Sequence, residues 1–299
     1  MTELANDLGT EKISKLLIKQ AVPASIGILV MSLNMIVDTI FVGQWIGSLA
    51  IAAITVVLPI VFLISSIGMG IGIGGSSIIS RALGAKKADK AFLTFGNQIS
   101  MTVGLSVFFV VVGTIFCSSL LLLFGANGDI LVPATEYFHV VLYGVPFLAF
   151  AMMGNPVIRA EGKPKFAMYA MIIPAISNIL LDIVFIKFMD LGMFGAGLAT
   201  SISYAACGLF ILGFFLSKKS ELVVSPKYFV LKFPIVKEII ELGGVTIVRQ
   251  GTISVLMIVL NATLFTYGGE SAIAVYGIIN RVMMFALFPV LGVTQGFLP

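Results

Sequence analysis

Long apolar runs, separated by short polar segments, dominate the pattern of residues along this chain. A helix needs about 20 apolar residues to cross a hydrocarbon core of ~30 Å, and eight runs reach that length. They are Ala21 to Val42, Ile51 to Ile79, Phe92 to Phe124, Pro133 to Met153, Phe166 to Phe188, Met193 to Leu216, Leu242 to Phe265 and Ala272 to Leu298. The pattern predicts an all-α bundle of eight transmembrane helices.

The composition supports this class. Hydrophobic residues make up 59% of the 299 residues and charged residues only 11%, and the mean hydropathy is +1.12. These values lie far outside the range of soluble domains. We therefore expect a multi-pass protein of the plasma (inner) membrane, with the lipid bilayer as its surroundings.

The positive charges predict the orientation of the helices. Fifteen of the eighteen Lys and Arg residues lie in the N-terminal segment and in every second loop, at 81–90, 159–165 and 218–237. Cytoplasmic loops carry such an excess, so the N-terminus is predicted to be cytoplasmic. Topology also accounts for the net charge of +4, and we expect no nucleic-acid partner. The first apolar run is too long for a typical signal peptide and should remain as the first helix.

An internal repeat predicts two lobes. Shifting the sequence by 222 residues aligns the glycines and alanines of 47–52 with those of 269–274, and Gly70 and Gly74 with Gly292 and Gly296. Six spans separate the copies, which preserves their orientation, as in transporters built from parallel repeats. The predicted units are a six-helix lobe at 1–217, a cytoplasmic linker at 218–238, and the start of a second lobe at 239–299. Two interpretations of the linker remain open, a segment lying along the membrane interface and a solvated loop.

Carboxylates inside two apolar runs are the strongest functional signal. Asp38 follows Asn34 by four residues, and Asp182 follows Asn178 by the same spacing, so each pair lies on one helix face. With ~1.5 Å rise per residue, Asp38 lies about 6 Å inside the outer end of its span, Asp182 about 9 Å and Thr200 about 10 Å. A buried acid within a membrane span is costly and typically marks an ion pathway. The residues could share one layer that binds a proton or a small cation.

The alternative is that these side chains only form hydrogen bonds between helices, each worth about 0.6 kcal/mol. In the first six spans no basic residue lies at comparable depth. Arg249 and Arg281 lie in the seventh and eighth spans, and we expect their partners on helices that follow this chain.

Glycines in the second span predict close helix packing. The segment from Gly68 to Gly75 reads GMGIGIGG and formally contains a dinucleotide-binding pattern. That pattern requires a strand before it and a helix after it, whereas this segment lies within a span. The pairs Gly68 with Gly72 and Gly70 with Gly74 instead have the spacing that lets helices approach closely.

Five short motifs together carry a resemblance to a known family. They are NMIVDTIFVG at Asn34 to Gly43, ISRALGA at Ile79 to Ala85, RAEGKPKFAM at Arg159 to Met168, NILLDIVFI at Asn178 to Ile186 and GAGLAT at Gly195 to Thr200. In this order they resemble the MATE family of multidrug and toxic-compound extrusion transporters, and the match covers the whole chain.

The resemblance implies a two-lobed, six-plus-six arrangement of helices with alternating access. It implies export of cationic, amphipathic compounds driven by H⁺ or Na⁺, with no other cofactor. It assigns Asp38, Asn178, Asp182 and Thr200 to the coupling-ion site, possible ligands of Na⁺, with Asn34 in a supporting role and Pro23 as a bend point in the first helix. The family continues beyond the eighth helix, so this chain is expected to be truncated relative to it.

Two other functions remain open. A flippase for a lipid-linked or amphipathic headgroup would need basic residues lining the cleft, and an inactive fragment or scaffold would tolerate replacement of both aspartates. We do not expect an enzyme, because the spans and their flanks carry no nucleophile paired with a base and no set of metal ligands.

Overall fold

The computed structural model describes residues 13–295, and within this range every regular element is a helix. The α-helices are α1 Ile13–Trp45, α2 Ser48–Gly84, α3 Ala88–Ile115, α4 Cys117–Leu123, α5 Leu131–Ala160, α6 Pro164–Asp182, α7 Gly192–Leu216 and α8 Phe233–Gln295. Short 3₁₀ helices lie at Gly128–Ile130 and Pro226–Tyr228, and a π-helical turn at Ile183–Phe188 extends α6. The all-α prediction is confirmed.

Seven stretches of the described residues are long and apolar enough to cross a membrane. The last of them, Phe233–Leu287, is 55 residues long. Gly269 divides α8 with non-helical backbone angles, φ 64° and ψ −158°. Glycine adopts a positive φ without steric cost, so the chain can turn there. The two arms of α8, residues 233–268 and 270–295, correspond to the seventh and eighth predicted spans.

The fourth helix is a local correction to the predicted spans. The single apolar run Phe92 to Phe124 forms two helices, α3 and α4, because the backbone leaves helical geometry at Phe116 (φ −106°, ψ 22°). Hydropathy does not detect this break, since the residues on both sides are apolar. We use the name six-span bundle for α1 to α7, residues 13–216.

Helix α2 is the centre of the packing. It contacts α5 on one side and α8 on the other, and most of its length is buried. Two clusters of buried apolar residues surround it. One includes Val56, Phe138 and Val141, and the other includes Ile79, Phe95 and Ile158. Helices α3 and α6 instead expose apolar side chains such as Phe108 and Leu180, as expected for surfaces that face lipid.

The glycine spacing in α2 allows both contacts, as predicted. Gly68 and Gly72 lie against the backbone of α5 near Ala149 and Met153. On another face, Gly74 lies so close to the Ile239 carbonyl of α8 that a Cβ there would overlap it. The close approach of α2 to two neighbours therefore depends on residues without side chains.

The linker between α7 and α8 is attached to the six-span bundle. Asn97 accepts a hydrogen bond from the Lys232 backbone N–H at 2.7 Å and donates to the Val230 carbonyl at 3.2 Å. At the other end of the linker, Glu161 Oε1 accepts the Ser220 hydroxyl at 2.8 Å and two backbone N–H groups. These bonds argue against a freely solvated loop. The division into two lobes remains a prediction.

Candidate functional site

The structure brings Asp38 and Asp182 together. Asp38 lies on α1 and is half-buried, whereas Asp182 is the last residue of α6 and is fully buried. Their carboxyl groups face each other closely enough to interact. Neither Asp182 oxygen has a hydrogen-bond donor of good geometry among the described residues. Two carboxylates in this arrangement repel each other unless a proton or a cation lies between them.

The two asparagines lie one turn away from the aspartates and are bonded to each other. Asn34 Nδ2 donates to Asn178 Oδ1 at 2.7 Å and to the Ala175 carbonyl at 3.3 Å. The bond joins α1 to α6, and the i to i+4 spacing on both helices aligns the Asp38 and Asp182 pair on the same faces. Asn34 thus occupies a supporting position beside the carboxylates.

Thr200 reaches this layer through a tyrosine that the sequence did not indicate. Its Oγ1 donates to the Ala196 carbonyl at 3.0 Å and lies 3.3 Å from the phenolic oxygen of Tyr137 on α5. Tyr137 is buried and interacts electrostatically with Asp38. Tyr204, one turn after Thr200 on α7, also interacts with Asp38. An aromatic residue in an apolar span looks like a packing residue, so only the i to i+4 relation of Tyr204 to Thr200 could have indicated either one.

Arg281 is the second group that the sequence did not place at the site. It lies on the second arm of α8, is buried, and donates a hydrogen bond to Thr39 Oγ1 on α1. Its guanidinium also interacts electrostatically with Asp38. The expectation that its partners lie on later helices was therefore wrong for Thr39 and Asp38. Arg249 is exposed on the first arm of α8, and its predicted partner remains untested.

The chemistry of the donor set fits a proton or a hard monovalent cation. Among residues 13–295 no group of three or more His, Cys, Asp and Glu side chains could hold a metal ion, so a site for a transition metal is not formed there. The layer instead offers carboxylate, carboxamide and hydroxyl oxygens, which hard cations prefer. The unpartnered oxygens of buried Asp182 are the groups that such an ion would satisfy.

The remaining sequence candidates lie elsewhere. Pro23 is buried within α1, which is helical from Ile13 to Trp45, and its role as a bend point remains a prediction. His139 is exposed on α5. Cys117 and Cys207 are both free and buried, as expected for small packing residues.

Comparison with known proteins decides the family. The MatE family model matches residues 23–184, more than half of the chain. This chain belongs to the MatE family. The multidrug export protein MepA of Staphylococcus saprophyticus is 33% identical over 281 residues, which cover 93% of this chain and 62% of MepA. MepA of Staphylococcus haemolyticus is 30% identical over 287 residues, covering 96% and 63%.

A solved structure of the MATE multidrug transporter DinF-BH, determined as a complex with a small molecule, is similar to this MatE chain throughout. The two share 37% identity with a TM-score of 0.91, over 97% of this chain and 65% of the other. The chain therefore spans slightly less than two thirds of the proteins it matches. It is a multi-pass membrane protein of a transporter family, and this membership agrees with the expectation that it is not an enzyme.

Proposed function

We propose that the whole protein is an antiporter that exports cationic, amphipathic compounds in exchange for H⁺ or Na⁺ by alternating access. The names of the relatives support multidrug export, and the DinF-BH complex supports binding of a small molecule by a protein of this fold. The observation that carries ion coupling is the facing pair Asp38 and Asp182, with two unpartnered oxygens on a fully buried carboxyl group.

The proposed mechanism is competition for this layer. A proton or Na⁺ that enters from outside neutralises the Asp38 and Asp182 layer, and the bundle repacks so that a bound drug loses affinity and leaves outward. Such coupling requires that ion and drug differ in affinity for the two conformations. Asp38, Asp182, Asn178 and Thr200 would hold the ion, and Asn34 would orient Asn178. The proposed orientation places the N-terminus in the cytoplasm, in accordance with the loop charges.

A flippase is less well supported. It would need basic side chains free to bind a headgroup, whereas Arg281, the basic residue at the depth of the layer, already faces Asp38. An inert scaffold has no use for two facing carboxylates in a membrane.

The experiment is efflux of a fluorescent cationic dye from vesicles that contain the full reading frame, under a pH gradient or a Na⁺ gradient. We expect dye loss to follow one gradient in the wild type and to disappear in Asp38→Asn. Asp190→Asn is the matched control, because Asp190 is an exposed carboxylate whose positive φ of 51° asparagine tolerates. Dye efflux that is unchanged in Asp38→Asn would exclude the proposed coupling.

A further inference from the structure

Three polar contacts connect α8 to the six-span bundle, and they lie at different depths. Near the start of α8, Glu238 contacts Arg81 at 3.4 Å and Lys90 at 3.0 Å. Just after the break at Gly269, Glu270 accepts the Asp129 backbone N–H at 2.8 Å. Between these ends, Arg281 contacts Thr39 and Asp38. Only the third contact touches the candidate ion layer.

These contacts differ in what they contribute. Arg81 is 61% exposed and Lys90 is 46% exposed, and ion pairs of such groups typically contribute little. Arg281 is 4% exposed. A buried cation without a nearby anion costs several kcal/mol, so its association with the bundle depends on a negative charge there. The carboxylate in range is that of Asp38.

The surroundings of Asp38 leave Arg281 as its cationic partner in the described structure. The other ionisable groups that face Asp38 are Asp182 on α6, Tyr137 on α5 and Tyr204 on α7, and all three are acids. Two carboxylates therefore face one guanidinium. The guanidinium comes from α8, whereas both carboxylates belong to the six-span bundle.

We propose that Arg281 is a positioning residue that couples ion binding to the association of α8 with the six-span bundle. The guanidinium and the transported cation compete for the Asp38 carboxylate. When α8 lies against α1, Arg281 supplies the positive charge. When a cation neutralises Asp38, the attraction for Arg281 is lost and the second arm of α8 can separate from α1. The proposal rests on the proposed function, since it takes Asp38 as a ligand of the coupling ion.

The test measures the separation of α8 from the bundle directly, without transport. Spin labels are placed at Phe188 and Tyr267, which are 75% and 88% exposed, in the full reading frame reconstituted in lipid nanodiscs. We expect Arg281→Gln to raise the ratio of separated to associated populations about fivefold or more, the lower range of a coupling between sites. Arg281→Lys keeps the charge and should largely restore the wild-type distribution. Arg249→Gln removes an exposed arginine of the same helix and should change nothing.

The partnership with Asp38 is tested by a double variant. If Arg281 acts through Asp38, then Asp38→Asn combined with Arg281→Gln should shift the distances no more than either substitution alone. Equal shifts in the Lys and Gln variants, or additive shifts in the double variant, would reduce Arg281 to ordinary packing and overturn the proposal. A wild-type distribution in Arg281→Gln would overturn it as well.

A fourth variant covers the case in which Arg281→Gln does not fold. Thr39→Val removes the hydroxyl that accepts the guanidinium N–H but changes no charge. It should shift the distances in the same direction by a smaller factor, and an unchanged distribution in this folded variant would contradict the proposal. Dye efflux is measured separately in the wild type. A wild type that separates its helices as expected but exports no dye would refute the proposed function and leave the Arg281 contact established.

Discussion

Asn34 on α1 and Asn178 on α6 share a hydrogen bond of 2.7 Å, although 144 positions separate them in the sequence. Asn34 uses the same nitrogen to reach the Ala175 carbonyl, so its amide is engaged entirely with α6. This bond holds together the two helices that carry Asp38 and Asp182. It therefore contributes both to the stability of the bundle and to the geometry of the candidate site.

We predict that Asn34→Ala lowers the stability of the bundle slightly. Hydrogen bonds between membrane helices contribute about 0.6 kcal/mol on average, so the midpoint of thermal unfolding should fall by about 1–4 °C. Thermal unfolding in lipid nanodiscs measures this. Gln44→Ala, which removes an exposed amide at the end of the same helix, is the control. Equal losses in both variants would show that the bond between Asn34 and Asn178 is not the cause.

The glycine contact between α2 and α8 gives a second prediction. A Cβ at Gly74 would overlap the Ile239 carbonyl, and backbone atoms cannot move aside as the end of a flexible side chain can. Gly74→Ala should therefore cost about 1–3 kcal/mol, as overpacked cores do. Gly104→Ala is the control, because a Cβ on Gly104 in α3 would meet no atom within 4 Å. It should be neutral or slightly stabilising. A Gly74→Ala protein as stable as wild type would mean that the helices separate without loss.

The bond between Tyr137 and Thr200 gives a third prediction. Tyr137→Phe removes a hydroxyl 3.3 Å from Thr200 Oγ1 and next to Asp38. We expect dye efflux at a fixed ion gradient to fall about two- to tenfold, which corresponds to the loss of one hydrogen bond. Tyr143→Phe, on the same helix but 76% exposed, should leave efflux unchanged.

The same bond can be tested by combining substitutions. Tyr137→Phe and Thr200→Val remove the two ends of one contact, so the double variant should lose little more efflux than the worse single variant. Fully additive losses would show that the two residues act independently.

The sequence predicted the features that depend on local periodicity. The apolar runs indicated the spans, and the i to i+4 spacing of Asn34 with Asp38 and of Asn178 with Asp182 indicated one shared face on each helix. The structure places these four residues together. Their role in ion coupling remains a prediction. Gly68 to Gly74 likewise showed where helices could approach, because the absence of a side chain is visible in the sequence itself.

Features that depend on how distant helices pack could not be predicted in this way. Thr39 and Arg281 are 242 positions apart, and only the packing of α8 on α1 brings them into contact. Tyr137 lies in an apolar span where its ring packs, so the position of its hydroxyl depends on α7. The break at Phe116 produces no polar signal, because both flanks face apolar surroundings.

Glu161 gives the fourth prediction, on the pH dependence of the linker. It lies just beyond the end of α5, where its carboxylate holds Ser220, Glu221 and Leu222. Burial raises the pKa of the Glu161 carboxyl to about 7, and the hydrogen bonds from the linker only partly oppose this. A carboxyl group with a raised pKa stabilises the attached linker when protonated. The attachment should therefore be strongest at acidic pH and weaken as the pH rises from the ordinary value of 4.5 through about 7.

A spin label at Val223, an exposed linker residue next to Leu222, would report this attachment. We expect its mobility to increase between about pH 5 and pH 8 in the wild type, across the range set by the raised pKa. Glu161→Gln keeps an acceptor oxygen but cannot ionise, so its mobility should be independent of pH. Glu136→Gln, which neutralises an exposed carboxylate on the same helix, should retain the wild-type response. A response that persists in Glu161→Gln would assign the pH dependence to another group. If the wild-type label became less mobile as the pH rises, the sign would be reversed, and the ionised carboxylate would be the form that holds the linker.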